Sequence, residues 1–232
     1  MRPVPDALML FAAGLGTRMG ALTATRPKPL IEVAGRTLVN HALDLADEAG
    51  IGRIVANLHY LPEQIRAHLS DRPNITFSDE TDAILETGGG LRKALPLLGT
   101  GPVFTLNTDA VWTGSNGLST LRSHWDPDAA SALLLLVPRA DATGHIGAGD
   151  FDIDRSGRIK RGRDYVYTGA QIINPGGIGA VPDPVFSLNV LWDRMLAEGR
   201  LFGCVHRGGW CDVGRPDAIP LAEALLAGAV DV

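Results

Sequence analysis

The chain has 232 residues, of which 45% are hydrophobic and 20% charged, as is ordinary for a globular protein with a sizeable core. Its formal net charge of −5 argues against a nucleic-acid-binding protein, because such proteins are usually basic. No run approaches the ~20 apolar residues of a membrane span, and the apolar run at residues 7–13 is too short for a signal peptide, so we expect a cytoplasmic protein without nucleic-acid or membrane partners.

Strand-like and helix-like segments alternate along the chain. Apolar runs predict strands at residues 7–12, 53–58, 75–78, 103–106, 132–137 and 201–206. Amphipathic segments predict helices at residues 36–48, 62–69, 90–98, 118–125, 187–198 and 216–226. A glycine-rich region predicts a hairpin over residues 151–159, with its turn at residues 154–157.

Repeated β–α alternation with unbroken apolar strands is typical of a mostly parallel sheet that is covered by helices on both faces. We therefore predict an α/β, Rossmann-like three-layer sandwich with a mostly parallel, mixed sheet, formed as a single domain over residues 1–232. The predicted hairpin would be a small β flap subdomain. Ligands of such sheets bind at the carboxyl ends of the strands, so the segments that follow residues 7–11 and 103–106 should meet there.

The segment after the first predicted strand has the features of a phosphate-binding loop. Gly14 and Gly16 lack a Cβ, so backbone N–H groups can approach phosphate oxygens. Arg18 and Lys28 supply positive charge, and the prolines on either side of Lys28 predict an extended backbone there. Met19 replaces the third glycine of a dinucleotide fingerprint, and a Walker loop is absent. We predict a triphosphate site, with a purely structural turn as the alternative.

Asp109 directly follows a predicted buried strand, where an unpaired carboxylate would be costly. A hard cation removes that cost, and Mg²⁺ is held in proteins by one or two carboxylates together with waters and phosphate oxygens. The pattern therefore predicts a magnesium ligand, with a cap on the following turn as the alternative. Asp212 is the second carboxylate candidate, in a segment whose pattern alone is weaker.

Three consecutive glycines stand before the predicted helix at residues 90–98. Bare backbone there can lie against a nucleotide base and hydrogen-bond its edge, and Thr87 offers a hydroxyl. The alternative is a loop that is rich in glycine only because it turns sharply.

Several motifs resemble those of the sugar-1-phosphate nucleotidyltransferases, which join a nucleoside triphosphate to a sugar phosphate and release pyrophosphate. The signature consists of A-A-G-L-G-T-R-M at residues 12–19 and P-K-P-L at residues 27–30. One branch, the N-acetylmuramate α-1-phosphate uridylyltransferases of cell-wall recycling, is also resembled through L-E-T-G-G-G at residues 85–90 and K-A-L-P-L-L at residues 93–98. Four further segments fall in that branch's order, at residues 107–109, 149–151, 167–169 and 210–214.

The resemblance implies a GT-A-like fold, Mg²⁺ as cofactor, and UTP and N-acetylmuramate 1-phosphate as substrates of a monomer or small homo-oligomer. It implies a nucleotide-binding half at about residues 1–140, a sugar-phosphate-binding half at about 141–232, catalytic roles for Arg18, Lys28 and Asp109, and metal binding by Asp109 and Asp212. The residues it implies for the nucleotide are Ala12, Ala13, Gly14, Gly16, Thr17, Arg18, Lys28, Thr87, Gly88 and Asn107. Those it implies for the sugar phosphate are Asn107, Gly149, Asp150, Thr168 and Gly169.

The chain departs from many relatives in its middle, where an E-K-P segment with a phosphate-contacting lysine is replaced by R-I-K-R-G-R at residues 158–163. Either Lys160, Arg161 or Arg163 substitutes for that lysine, or the run is a solvated charge cluster. The lactyl carboxylate of a muramate acceptor also needs a partner, for which the candidates are Arg161, Arg163 and His145.

An alternative hypothesis is the same reaction with other substrates. The acceptor would then be another hexose 1-phosphate, heptose 1-phosphate or phosphocholine, and the donor another nucleoside triphosphate. A different class of function is a non-catalytic regulatory protein that binds sugar nucleotides. Intact Arg18, Lys28, Asp109 and Asp212 argue against loss of catalysis. The two cysteines, Cys204 and Cys211, are expected to be packed or partly exposed thiols on or beside one strand rather than a disulfide.

Overall fold

The computed structural model describes residues 5–230, in which six helices and fourteen strands alternate in the order that the apolar runs suggest. The strands are β1 (Ala7–Phe11), β2 (Glu32–Val33), β3 (Arg36–Thr37), β4 (Arg53–Leu58), β5 (Ile75–Asp79), β6 (Val103–Asn107), β7 (Ala110–Trp112), β8 (Ala132–Pro138), β9 (Ala142–Thr143), β10 (Phe151–Ile153), β11 (Ile159–Arg161), β12 (Tyr165–Ile173), β13 (Leu201–Val205) and β14 (Trp210–Asp212). The helices are α1 (Leu38–Glu48), α2 (Pro62–His68), α3 (Glu86–Leu98), α4 (Gly117–His124), α5 (Asn189–Ala197) and α6 (Ile219–Val230).

The main sheet runs in the order β5-β4-β1-β6-β12-β8-β13, and the hairpin β10–β11 joins it beside the start of β12. Strands β5, β4, β1 and β6 are parallel, whereas β12 is antiparallel to both β6 and β8. In the register of β1, Leu8 lies opposite Ile54 of β4 and Phe104 of β6. The carboxyl ends of β1 and β6 therefore reach the same edge of the sheet.

Side chains of β1 alternate between two hydrophobic layers. Leu8 and Leu10 pack into a cluster with residues of α1 and α4, whereas Ala7 and Met9 pack on the other face with residues of α3 and α5. This alternation is expected where both faces of a strand are buried. It confirms the predicted three-layer α/β sandwich with a mixed sheet.

A second, three-stranded sheet has the order β7-β14-β9. In it, β7, which follows β6 in the chain, pairs with β14 from the C-terminal part of the chain. Helix α6 packs near this sheet, in a hydrophobic cluster that includes Val111, Cys211 and Ala222. Met19 from the glycine loop is fully buried in the same cluster. The loop is thereby anchored by an apolar side chain that points away from solvent.

Most predicted elements are confirmed within a few residues, but four helices begin two to four residues from the predicted start. Helix α5 starts at Asn189 rather than residue 187, and α6 starts at Ile219 rather than residue 216. Helix α1 starts at Leu38 rather than residue 36, because Arg36–Thr37 pairs with β2 and the Thr37 hydroxyl accepts the Asn40 N–H at 3.4 Å. Helix α3 starts at Glu86, so the three glycines lie inside its first turns rather than before it. Lys28 begins a single 3₁₀ turn, Lys28–Leu30, rather than extending the chain, because a helical first turn tolerates proline.

The predicted hairpin at β10 and β11 is confirmed, but it extends the main sheet instead of forming a separate flap. Phe151 is fully buried against Trp192 of α5, with ring centroids 6.0 Å apart, which fixes the hairpin to the sandwich. Cys204 and Cys211 are buried free thiols on β13 and β14, two separate strands. Among residues 5–230, no helix has the length and apolar character needed to cross a bilayer.

Candidate active site

A cleft of about 280 Å³ opens at the carboxyl ends of β1 and β6. Seven of the residues that the sequence singled out line it, namely Ala12, Ala13, Gly14, Lys28, Thr87, Asn107 and Asp109. They come from three separate parts of the chain, so this cleft is where the predicted nucleotide motifs converge. Gly16, Thr17 and Arg18 belong to the same loop but are not part of the cleft wall.

Two hydrogen bonds hold the segments around the cleft together. The Thr108 hydroxyl donates to the Phe11 carbonyl at 2.9 Å, which joins the segment after β6 to the end of β1. The Ala12 N–H donates to Asn57 Oδ1 at 2.8 Å, which joins the glycine loop to β4. The predicted meeting of the two segments at one edge of the sheet is therefore confirmed.

The two loop glycines are required for different reasons. A Cβ at Gly14 would have no atom of residues 5–230 within 4 Å, so packing there does not explain the glycine. Gly16 has a φ of +63°, and a Cβ there would lie 2.8 Å from Lys28 Cβ. Gly16 is thus needed to bring Lys28 against the loop, while the phosphate contact predicted for Gly14 has open space beside its backbone.

Lys28 forms the central ion pair of the site, with its Nζ 2.8 Å from Asp109 Oδ2. The lysine is only 8% exposed, so its stem is packed in the protein and its ammonium is directed at the carboxylate. The predicted catalytic lysine and the predicted metal ligand are therefore in direct contact.

Asp212 lies beside this pair because β14 is hydrogen-bonded to the segment after β6. Asp212 is opposite Ala110 in the β7–β14 register, and the Val213 N–H donates to the Asp109 carbonyl at 2.8 Å. Burial, followed by the charge of Asp109, raises the pKa of Asp212, while Lys28 and Arg18 act in the opposite direction. Arg18 Nη1 would lie 3.0 Å from a Cβ at Gly214, which places this guanidinium next to Asp212.

The donor set of Asp109 and Asp212 fits a magnesium ion. The negative charge of Asp109 is one of the causes that raise the pKa of Asp212, so ionising both carboxylates is costly. A divalent cation bound between them would compensate their negative charges. Within the described part of the chain, no group of three or more His, Cys, Asp or Glu side chains gathers to hold a metal. Waters and phosphate oxygens would complete the coordination, as Mg²⁺ prefers.

Two of the predicted ligand-binding residues, Gly88 and Thr168, make packing and hydrogen-bond contacts within the protein. The Gly88 N–H donates to the Phe186 carbonyl at 2.8 Å, and a Cβ at Gly88 would meet the Phe186 ring. Thr168 is buried, and its hydroxyl donates to the Leu135 carbonyl at 2.8 Å. These internal contacts give both residues a role in packing, and ligand binding by either one stays a prediction. Thr87 still lines the cleft, with its Oγ1 accepting the Leu188 N–H at 3.0 Å.

Gly169 and Asn107 meet where β12 crosses beside β6. Gly169 has a φ of +87°, at an irregularity in the β12–β8 pairing, and its missing Cβ leaves space for the Asn107 side chain. Gly149 and Asp150 lie at the start of the hairpin, where Asp150 Oδ2 accepts the Tyr167 N–H at 2.8 Å. The predicted sugar-phosphate segments thus either belong to β12 or contact it: Gly169 is part of the strand, and Asp150 is hydrogen-bonded to it. The neighbouring Asn107 of β6 lines the cleft.

Sequence reasoning missed a buried polar pair in the cleft wall. Asn57 Nδ2 donates to Glu80 Oε1 at 3.0 Å, and both side chains are almost fully buried. Burial raises the pKa of Glu80, and the hydrogen bond from Asn57 partly offsets the effect. Glu86, also in the wall, has a φ of +61°. Asn57 is a single polar residue near the end of the apolar strand β4, and this position is a sequence feature that could have marked it as part of a site. The neighbouring residues do not indicate which groups it contacts.

The basic run in the middle of the chain divides into residues with different surroundings. Lys160 is exposed, with Nζ 3.9 Å from Asp152 Oδ2, and Arg161 is bound to Asp193 and Asn189 of α5 at 2.7 and 2.8 Å. Neither lines the cleft. Arg163 instead borders a separate hollow that also contains His145.

Comparisons with known proteins agree with this geometry. The family model of the MobA-like NTP transferase domain matches residues 8–147. An N-acetylmuramate alpha-1-phosphate uridylyltransferase of Caulobacter vibrioides is 40% identical, covering 99% of this chain and 100% of that protein. A protein of the same description from Neisseria meningitidis serogroup B is 35% identical, covering 95% and 98% respectively. The resemblance found in the motifs is thereby confirmed.

A solved structure gives independent support for the fold. A putative glucose-1-phosphate thymidylyltransferase from Bacillus anthracis, in complex with a sucrose, has a TM-score of 0.80 at 16% identity and covers 97% of this chain and 96% of that one. Similarity at this low identity shows the architecture of the sandwich and nothing finer.

Proposed function

The chain belongs to the MobA-like NTP transferase family and is a nucleotidyltransferase, and we propose that it transfers a uridylyl group from UTP to N-acetylmuramate α-1-phosphate in cell-wall sugar recycling. The products are UDP-N-acetylmuramate and pyrophosphate. The choice of these substrates is supported by the two relatives that match nearly the whole chain. The reaction type is supported chiefly by one observation, the ion pair between Lys28 and Asp109, which lies next to Asp212. Both residues of the pair line the cleft, together with residues of the glycine loop.

The reaction needs no side-chain nucleophile. An oxygen of the acceptor phosphate attacks the α-phosphorus of UTP, a new P–O bond forms, and the bond to the β,γ-pyrophosphate breaks with its electron pair leaving on pyrophosphate. Both reactants are negatively charged, so the protein must hold them in line and reduce their repulsion. In this proposal Lys28, which contacts Asp109, and Arg18, which lies near Asp212, reduce that repulsion with their positive charges.

Asp109 and Asp212 would hold Mg²⁺. When bound, the ion would supply positive charge to the phosphates. Lys28 donates hydrogen bonds to phosphate oxygens in this proposal while it contacts Asp109, since its Nζ carries three donors.

The nucleotide is proposed to lie in the cleft, with its phosphates against Gly14 and its base toward Thr87 and the buried Asn57–Glu80 pair. The acceptor is proposed to lie along β12, with Asn107, Asp150 and Gly169 beside it. Water is displaced from the cleft as both substrates bind, which strengthens the electrostatic contacts at the reacting phosphates.

Pyrophosphate release, measured with UTP, CTP, GTP and dTTP against a panel of sugar 1-phosphates, tests this function. We expect UTP with N-acetylmuramate 1-phosphate to exceed UTP with glucose 1-phosphate in kcat/KM by about ten- to a hundredfold, or roughly 1.4–2.7 kcal/mol, which is within reach of one charge-assisted hydrogen bond. Equal or better use of glucose 1-phosphate would overturn the acceptor assignment and leave the nucleotidyltransferase activity in place. Failure of every pair to release pyrophosphate would overturn the reaction itself.

A further inference from the structure

Beside the active-site cleft lies a second hollow, of about 480 Å³, whose wall is rich in basic groups. Arg139, His145 and Arg163 line it, together with Ile146 and Asp164. None of these residues belongs to the wall of the cleft itself. The hollow is open to solvent, and its exposed Ile146 offers an apolar surface next to the charges.

The fold brings the two arginines together from distant parts of the chain. Arg139 follows the last residue of β8, and Arg163 lies just before the first residue of β12. These strand ends are paired, with Pro138 opposite Tyr165, and the Arg139 N–H donates to the Asp164 carbonyl at 2.8 Å. The backbone of both arginines is therefore held by the sheet.

Their guanidinium groups are available for a ligand. Within residues 5–230, neither Arg139 nor Arg163 has a side-chain hydrogen bond or ion pair to the protein, although Asp164 lies in the same wall. Arg161, two residues before Arg163, is by contrast bound to Asp193 and packs its guanidinium 5.0 Å from the Phe151 ring centroid. Two guanidiniums facing one carboxylate leave the hollow with an excess of positive charge.

The hollow borders both the reacting groups and the predicted acceptor segment. The loop of His145 passes directly over Asp212, because a Cβ at Gly144 would meet the Asp212 carbonyl. On the other side, a Cβ at Gly149 would meet the Arg163 carbonyl, so the Gly149–Asp150 segment packs on the backbone of Arg163. The loop of His145 and the Gly149–Asp150 segment thus connect the hollow to Asp212 and to the predicted acceptor segment.

We propose that Arg163 and Arg139 form a subsite for a carboxylate substituent on the acceptor sugar, which on the proposed function is the lactyl carboxylate of N-acetylmuramate 1-phosphate. A planar guanidinium binds a carboxylate through two parallel hydrogen bonds and keeps its charge at every relevant pH. The methyl group of the lactyl ether then faces Ile146. This proposal rests on the proposed function, because the subsite binds the lactyl carboxylate, the group that distinguishes muramate from other hexosamines.

The experiment compares two acceptors that differ only in the lactyl ether, N-acetylmuramate 1-phosphate and N-acetylglucosamine 1-phosphate, each with UTP. Arg163→Gln and Arg139→Gln should each lower kcat/KM for the muramate acceptor by about tenfold or more, chiefly through KM, and change it less than about twofold for the glucosamine acceptor. Arg161→Gln is the matched control, since that arginine is engaged by α5, and it should leave the ratio between acceptors unchanged.

Two results would overturn the subsite: an unchanged acceptor ratio in both variants, or equal losses with both acceptors, which would mean a general structural defect. A wild-type enzyme that does not prefer the muramate acceptor would instead contradict the proposed function, before any variant is considered. Should Arg163→Gln fold poorly, Arg163→Lys provides the same comparison, because lysine keeps the charge but loses the two-pronged geometry.

Discussion

The ammonium of Lys28 lies 2.8 Å from the carboxylate of Asp109, across two segments that the sequence separates widely. The contact fixes the direction of the Lys28 ammonium, whose stem is packed in the protein. An ammonium carries three hydrogen-bond donors, so on the proposed function Lys28 donates to phosphate oxygens as well as to Asp109. The contact thus joins the predicted metal ligand to the predicted phosphate site.

The first prediction concerns turnover. Asp109→Asn should lower kcat by about two orders of magnitude or more, because it removes a charged ligand from the centre that neutralises the phosphates. Steady-state pyrophosphate release in excess Mg²⁺ measures the effect. Asp71→Asn, which changes an exposed carboxylate away from the cleft, is the control and should behave as wild type. Near-normal turnover of Asp109→Asn at saturating Mg²⁺ would remove Asp109 from the catalytic centre.

The second prediction concerns the stability of the same pair. Lys28→Met keeps the packed stem but leaves Asp109 and Asp212 without their nearest cation, so the free energy of unfolding should fall when Mg²⁺ is absent. Adding Asp109→Asn to Lys28→Met should restore most of that loss, because the uncompensated charge is then gone. A double-mutant cycle by urea unfolding gives the coupling energy. Strictly additive effects of the two substitutions would show that the pair contributes nothing to stability.

The third prediction follows from the raised pKa of Glu80. A carboxyl whose pKa is higher in the folded than in the unfolded state contributes stability below its unfolded pKa and loses it as pH rises through the folded pKa. Glu80→Gln keeps an oxygen for the Asn57 amide and cannot ionise. Its Tm should therefore exceed that of wild type at about pH 8 and match it at about pH 4. Glu198→Gln, at an exposed position, should show no such pH dependence; a Glu80→Gln curve parallel to wild type would contradict the prediction.

The fourth prediction separates ligand approach from packing at the glycine loop. Gly14→Ala should leave Tm unchanged, because its Cβ would meet no protein atom within 4 Å. The KM for UTP should rise about tenfold, since the methyl group occupies space next to the phosphates. Gly52→Ala is a matched control with equally open surroundings away from the cleft. An unchanged KM in Gly14→Ala would place the triphosphate elsewhere.

The fifth prediction concerns Gly88, which we assign to packing. Alanine is favoured over glycine in a helix by about 1 kcal/mol, so propensity alone would stabilise Gly88→Ala. The new Cβ would, however, meet the Phe186 ring and lie 2.8 Å from the Phe186 carbonyl oxygen. We expect net destabilisation by about 1–3 kcal/mol, the usual cost of overpacking. Urea unfolding measures it, with Gly101→Ala, which meets no atom within 4 Å, as the control. A Gly88→Ala protein as stable as wild type would show that the Phe186 segment yields freely.

Much of the fold could be predicted because its information is local. The strand over residues 53–58 is apolar enough to be recognised directly, and the structure reproduces its bounds as β4. The local pattern does not predict the longest strand, β12, because Gly169 in its middle is of a residue type that is depleted in strands. Gly169 is there because the Asn107 side chain of β6 needs its space, and that neighbour is not visible in the local pattern.

The same division holds for the active site. The sequence by itself determined which residues are candidates: the glycine loop, the basic residues beside it and Asp109 are predicted from short local patterns, and Asp212 from the family resemblance. Only the tertiary structure decided that Lys28 is bound to Asp109, that Asn57 and Glu80 form part of the cleft, and that Gly88 is packed against Phe186. Those relationships are set by strand order and register, which bring together residues from distant segments, and a local pattern carries no record of its distant partners.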